Sequence, residues 1–228
     1  MKRGILAATI SAALVLAAPA APAHGRSYAW VANNCFDDHH AVSRWKRSDG
    51  RAYGFVAAGE GYDYAGGCWN NDDRDDTPPV ATDDPGSEGP DCSGLVFKAW
   101  FLKNSAGASG GTWYNKFEDT HGPYASWHYL DPTANDPFFR LPDKDRSTTL
   151  YMDAFVSQGH ASLIYTDVAT SGNADYILEA RGNFDGTDVF VENYRWDPAY
   201  RAVRRRGWTP DCYPRCSAPP RTSVVTIS

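Results

Sequence analysis

The sequence lacks a basic excess, carries little sulfur and, beyond its first residues, has no long apolar run. Lys and Arg number 22 against 28 Asp and Glu, a formal net charge of −6. That balance argues against a protein whose main work is gripping nucleic-acid phosphates, which calls for a basic face. After the first two dozen or so residues no segment approaches the ~20 apolar residues that a spanning helix needs. The chain also lacks an internal repeat, which removes the solenoid architectures. The five cysteines and six histidines show no four-ligand zinc spacing. His39 and His40 stand beside Asp37 and Asp38, but adjacent side chains point apart in a strand, so no metal is expected there. What is present is ordinary globular material: 42% hydrophobic, 22% charged and 14% aromatic residues in 228, enough for one well-buried core.

The chain opens with Met1-Lys2-Arg3, an apolar run from Gly4 to Ala18, and small residues through Ala21-Pro22-Ala23. This order of basic, apolar and small residues predicts a secretory signal peptide over 1–23, too short in its apolar part for a membrane anchor. The expected product is a secreted monomer, extracellular or associated with a cell wall, with 24–228 as a single domain. Export places Cys35, Cys68, Cys92, Cys212 and Cys216 in an oxidising setting, and an odd count leaves at least one thiol free. If one is free, the other four allow three connectivities, of which Cys35–Cys68 with Cys212–Cys216 closes the two shortest loops. The second of these would close a C-terminal segment.

A helix is expected near Ala41 to Lys46. Residues 70–91 form an acidic loop whose composition denies it a core strand. It offers oxygen ligands, but its spacing does not match the order of an EF-hand calcium loop. The clearest helix follows, Cys92 to Lys103, with Asp91 as N-cap and Leu95, Val96, Ala99, Trp100 and Leu102 at helical spacing. Most of the aromatic residues between Gly111 and Pro142 are expected in the core. Four strands then follow, Met152 to Ser157, Ala161 to Thr166, Asp175 to Arg181 and Asp188 to Tyr194. A helix early and antiparallel strands late make an α+β fold. Arg201, Arg204, Arg205 and Arg206 are read either as a patch for anionic polymer or as a solvated strand edge.

The chemistry converges on Cys92. At the first turn of a helix, unpaired amides and the helix dipole favour a thiolate, which is the state a cysteine nucleophile needs. The amides of Cys92 and Ser93 are placed to hold the oxyanion of a tetrahedral intermediate. A buried structural Cys or a disulfide partner is the alternative at that position. His160 opens a strand, where a base is held rigidly, and Glu179 lies in the next strand, where antiparallel pairing brings it beside His160. Glu179 shares a strand face with Ile177, so the carboxylate has to be paired or solvated, and pairing with the imidazole satisfies it.

Asp91-Cys92-Ser93-Gly94-Leu95-Val96 resembles the nucleophile signature of the NlpC-type cell-wall cysteine peptidases, and Gly159-His160 resembles their base signature. Met152-Asp153-Ala154-Phe155-Val156 is similar to the Gly-Asp-Leu-Val-Phe strand of that family. Tyr64-Ala65-Gly66-Gly67 is similar to its Tyr-x-Trp-Gly-Gly segment, without the Trp. The resemblance implies a papain-like fold, with the nucleophile at the N-terminus of a helix packed on an antiparallel sheet. It implies hydrolysis of an amide in peptidoglycan stem peptides without a metal or cofactor, with Cys92 as nucleophile, His160 as base, Glu179 as the group that orients it, and Tyr64 and Ser93 touching substrate. Glu is a less usual third residue than His, Asn or Gln. Two other readings stay open: a secreted thiol acyltransferase or transglutaminase-like enzyme, and a non-catalytic wall-binding or toxin-like module in which Cys92 is buried or disulfide-bonded.

Overall fold

A computed structural model describes residues 46–64, 66–69, 89–102, 122–166, 174–182 and 185–208. The proposed signal peptide, the acidic loop up to residue 88, and Cys35, Cys212 and Cys216 lie outside the described residues. So do the cysteine pairings proposed for them.

The fold is α+β, as expected. Helix α1 runs Arg47–Phe55, and strands β1 (Gly67–Cys68) and β2 (Gly89–Pro90) form a two-stranded antiparallel ribbon. Helix α2 is Cys92–Ala99 and α3 is Ser126–Leu130. Six strands follow: β3 (Phe138–Arg140), β4 (Ala154–Val156), β5 (Ala161–Thr166), β6 (Asp175–Arg181), β7 (Gly186–Glu192) and β8 (Arg201–Arg205). They form one antiparallel sheet in the order β3-β8-β4-β5-β6-β7. No helix among the described residues is long and apolar enough to cross a membrane.

Strand alternation gives the sheet two buried faces. Ala161 and Leu163 of β5 and Leu178 and Ala180 of β6 join Leu95, Val96, Phe97 and Trp100 in the larger core under α2. Ile164, Ile177, Phe155 and Ala202 face the other way into a smaller core with Leu141, lined by Tyr194 and Tyr200. Helix α2 is buried along its whole length, since α1 covers the side that the sheet leaves free. Close approach of α1 rests on glycine. A Cβ at Gly50 would meet the Ala99 carbonyl oxygen at 2.6 Å, and one at Gly54 would meet Ala99 Cβ at 3.1 Å.

Several sequence expectations are corrected. Helix α2 ends at Ala99, four residues before Lys103, because Phe101 takes a left-handed conformation (φ 50°). There the Leu102 N–H donates to the Phe97 carbonyl and the Phe101 N–H to that of Lys98, a Schellman-type stop. The turn carries the Phe101 ring into the core against Tyr53, at 5.5 Å between centroids. The described N-terminal helix begins at Arg47, where the expected one stops, and residues 41–45 lie outside the described residues. Strand β7 sits two residues earlier than expected, since Gly186 already pairs with Arg181.

The arginine run is neither a free patch nor a sheet edge, because β8 lies inside the sheet between β3 and β4. Arg204 donates to both oxygens of Asp153, a carboxylate also held by Arg47 at 2.8 Å. Arg205 is buried against the Trp208 ring at 4.6 Å. Arg206 Nε donates to the Asp136 carbonyl at 3.0 Å, and Arg201 to that of Tyr200 at 2.9 Å.

Candidate active site

Asp91 caps α2 from an extended backbone conformation (ψ 174°), its carboxylate accepting from Gly94 N–H at 2.5 Å and from Ser93 Oγ at 2.8 Å. The Asp91 N–H in turn donates to the Gly66 carbonyl at 3.0 Å, so the ribbon before the helix fixes where the helix starts. This start presents Cys92 at the first helical position. Its thiol is free, and the residue keeps 9% of its exposure. Backbone N–H groups of Ala161, Ser93 and Cys92 itself are directed at the sulfur. Ala161 is the residue after His160, so the sulfur lies at the mouth of β5.

The expected low thiol pKa is overturned for the resting protein. Burial pushes the Cys92 thiol up to about 12, and the neighbouring Asp91 carboxylate adds to the rise. The three N–H groups lower it but do not win. Helix-terminal amides favour a thiolate, yet loss of water around a nearly enclosed sulfur costs the charged form more. At rest Cys92 is a neutral thiol.

His160 and Glu179 are brought together as expected. Nε2 of His160 lies 2.6 Å from Oε2 of Glu179, which is fully buried. The same oxygen accepts from the Tyr194 hydroxyl at 2.9 Å, and Oε1 accepts from Arg181 Nε at 2.9 Å. Arg181 also pairs with Glu192. A carboxylate that accepts from every neighbour fixes Nε2 as the imidazole N–H, which leaves Nδ1 as the lone-pair nitrogen. Burial works against the Arg181 charge, but Glu192 and Glu179 outweigh it and hold the guanidinium above its ordinary value. Burial and then the Glu179 charge push the Tyr194 hydroxyl well up, so it remains a donor. Tyr194 stacks on Tyr200 at 4.1 Å, and both rings meet His160 edge-on at 6.0 and 6.4 Å.

Two expected contact residues are placed less decisively. Ser93 is buried and its hydroxyl is committed to Asp91, so its backbone N–H is the group left facing the sulfur. Tyr64 is 60% exposed in the turn whose Gly66 carbonyl anchors Asp91. Sequence reasoning missed Arg181, Tyr194 and Tyr200. Arg181 had a signal, since it stands two residues after Glu179 in the same strand and such residues share a face. Tyr194 and Tyr200 had none, because they meet His160 only through the turn between β7 and β8. Among the described residues no cluster of His, Cys, Asp or Glu is placed to hold a metal.

Comparison with known proteins finds no matching family model, no matching curated protein and no matching solved structure.

Proposed function

We propose that the chain is a cysteine peptidase of the papain-like, NlpC type that hydrolyses an amide bond in peptidoglycan stem peptides after export. The observation that carries this is the 2.6 Å bond between His160 Nε2 and the buried Glu179 carboxylate, one residue from the backbone amide that faces the Cys92 sulfur. A second feature supports the family likeness. Met152 takes a left-handed conformation (φ 63°), and it stands where the resembled strand motif has Gly.

In the proposed reaction the Cys92 thiol gives its proton to Nδ1 of His160 as the sulfur attacks the scissile carbonyl carbon. The carbonyl oxygen becomes an oxyanion facing the N–H groups of Cys92 and Ser93. Glu179, held by Arg181 and Tyr194, orients the imidazole and stabilises its cation. Collapse breaks the C–N bond, the amine leaves with the proton from His160, and an acyl-enzyme remains. Water then attacks the thioester with His160 as base, releasing the carboxylic acid and restoring the thiol.

The burial and raised pKa of Cys92 favour a second reading, a non-catalytic module built on the same fold. One experiment separates the two. Purified peptidoglycan is incubated with the secreted protein and with Cys92→Ala, and new amino groups are counted by mass spectrometry of the fragments. New ends from the unaltered chain alone support the peptidase. Equal release by Cys92→Ala, or none by either, defeats it.

A further inference from the structure

Helix α3 has no task in the reaction just described, yet it bridges the two halves of the site. On one side the Tyr129 ring meets Trp100 of α2 edge-on at 5.7 Å. On the other, Ser126 Oγ donates to the Gln158 carbonyl at 3.2 Å, in the turn that leads into His160. That turn is short, because Val156 already pairs with Ala161 and the Ser157 N–H donates to the His160 carbonyl at 2.9 Å. The helix is therefore fixed beside the residue proposed as base.

Trp127 lies between these two anchors and is 53% exposed. An indole in water forfeits the large area that aromatic side chains ordinarily bury. Its ring is held in place nonetheless. It stacks on His128 at 3.4 Å between centroids, and His128 is fixed in turn because its Nδ1 accepts from the Ala125 N–H at 3.0 Å. One face of the indole is covered and the other is presented to solvent in a set orientation, so binding there requires little further ordering.

The turn tied to α3 is bare. A Cβ at Gly159 would meet no atom within 4 Å, whereas one at Gly66 or Gly122 would meet an atom at 2.7 or 2.6 Å. Gly159 is not among the residues with left-handed backbone, so neither its conformation nor its packing calls for glycine. What glycine supplies is room over the turn next to His160.

An open indole face beside an empty turn is a platform for a flat ring. In the proposed substrate the stem peptides are aliphatic and acidic, whereas the hexosamines of the glycan strand present a face of C–H groups that suits the negative face of an aromatic ring. We propose that Trp127 and Gly159 form a subsite for a pyranose ring of the glycan strand, so that the enzyme holds the sugar to which a stem peptide is attached while cutting that peptide. The proposal rests on the peptidase reading and adds to it a preference for stem peptides still joined to glycan.

The test compares kcat/KM on two soluble substrates, the stem peptide carrying its disaccharide and the same peptide without sugar, for the full chain and for Trp127→Ala. The unaltered chain is expected to favour the sugar-bearing peptide by about three- to tenfold, the size of one aromatic ring contact. The gain is expected in KM with kcat level, since a contact remote from the scissile bond binds substrate and transition state alike. In Trp127→Ala the ratio of the two kcat/KM values is expected to fall to about one. A ratio cancels any difference in the amount of folded protein. Equal kcat/KM on both substrates in the unaltered chain, or a preference that survives Trp127→Ala, would overturn the proposal and leave the peptidase reading standing. If the unaltered chain hydrolyses neither substrate, the peptidase reading fails and this proposal fails with it.

Discussion

Glu179→Gln is the substitution that probes the site most directly. The side chain keeps its shape, but a buried acceptor serving His160, Tyr194 and Arg181 becomes an amide with one acceptor oxygen and an NH2 group. Turned toward Nε2, the NH2 donates where the carboxylate accepted, and the imidazole proton moves to Nδ1. That tautomer cannot accept the Cys92 proton. The equivalent change in a Ser-His-Asp triad costs about 10⁴-fold in kcat, and a loss of about 10²- to 10⁴-fold is expected here. Stability falls much less. Arg181 keeps its pair with Glu192 and stays partly solvated, so the lost hydrogen bonds to the charged group amount to about 1–3 kcal/mol. For a domain of this size that corresponds to a melting point lower by about 3–10 °C. Peptide-release kinetics and thermal melts on the same preparations read both quantities. A Glu179→Gln protein that melts lower but keeps more than about a third of the parent kcat would refute the role of Glu179 in orienting the base.

The raised Cys92 thiol makes a second prediction about stability against pH. Its folded pKa of about 12 lies above the ordinary 9.0, so the neutral thiol favours folding fully below pH 9. That contribution drains away as pH rises from 9 toward 12, at about 1.4 kcal/mol per unit. The unfolding free energy from urea titrations should fall further between pH 8 and pH 10.5 in the parent than in Cys92→Ser, by about 2 kcal/mol. Equal falls would mean that the thiol is not shifted. Gly50→Ala supplies a third prediction. In an exposed helix interior this change usually stabilises by about 0.5–1 kcal/mol, but here the new Cβ would meet the Ala99 carbonyl at 2.6 Å and the Trp208 ring at 2.9 Å. A loss of about 1–3 kcal/mol in thermal or urea unfolding is expected, and a gain would contradict the close packing of α1 on α2.

The parts of the fold that were legible are those whose own residues decide them. Ala161 to Thr166 and Asp175 to Arg181 are apolar and β-branched or aromatic between turn residues, and both form strands with those bounds. Cys92 at the start of a helix was readable because the Asp91 cap is local. Strand β8 was not, since Arg-Ala-Val-Arg-Arg becomes an interior strand only when Asp153, some fifty residues away, takes up the Arg204 charge. Helix α1 has two glycines in nine residues and poor intrinsic helicity, and its stability comes from contact with α2, which no local pattern records. The thiol pKa failed for a related reason. The dipole of a helix end can be read from sequence, but enclosure of the sulfur is a property of the packed site.

The two faces of the sheet explain why the site is assembled where it is. Cys92 belongs to the helix that packs on the face carrying Leu163 and Leu178, whereas Glu179 stands on the opposite face with Ile177, among Tyr194 and Tyr200. A thiol and an imidazole on opposite faces of a continuous sheet cannot meet across it. They can meet at its end, and His160 is the residue just before β5 begins, where the Ala161 N–H already turns toward the sulfur. Each partner is therefore held by a different core, the thiol by α2 and the imidazole by the tyrosines and Glu179. Damage to the smaller core should disturb the imidazole while leaving the environment of the thiol intact. That asymmetry is what a site built at a strand mouth requires, and it follows from strand alternation in β5 and β6 alone.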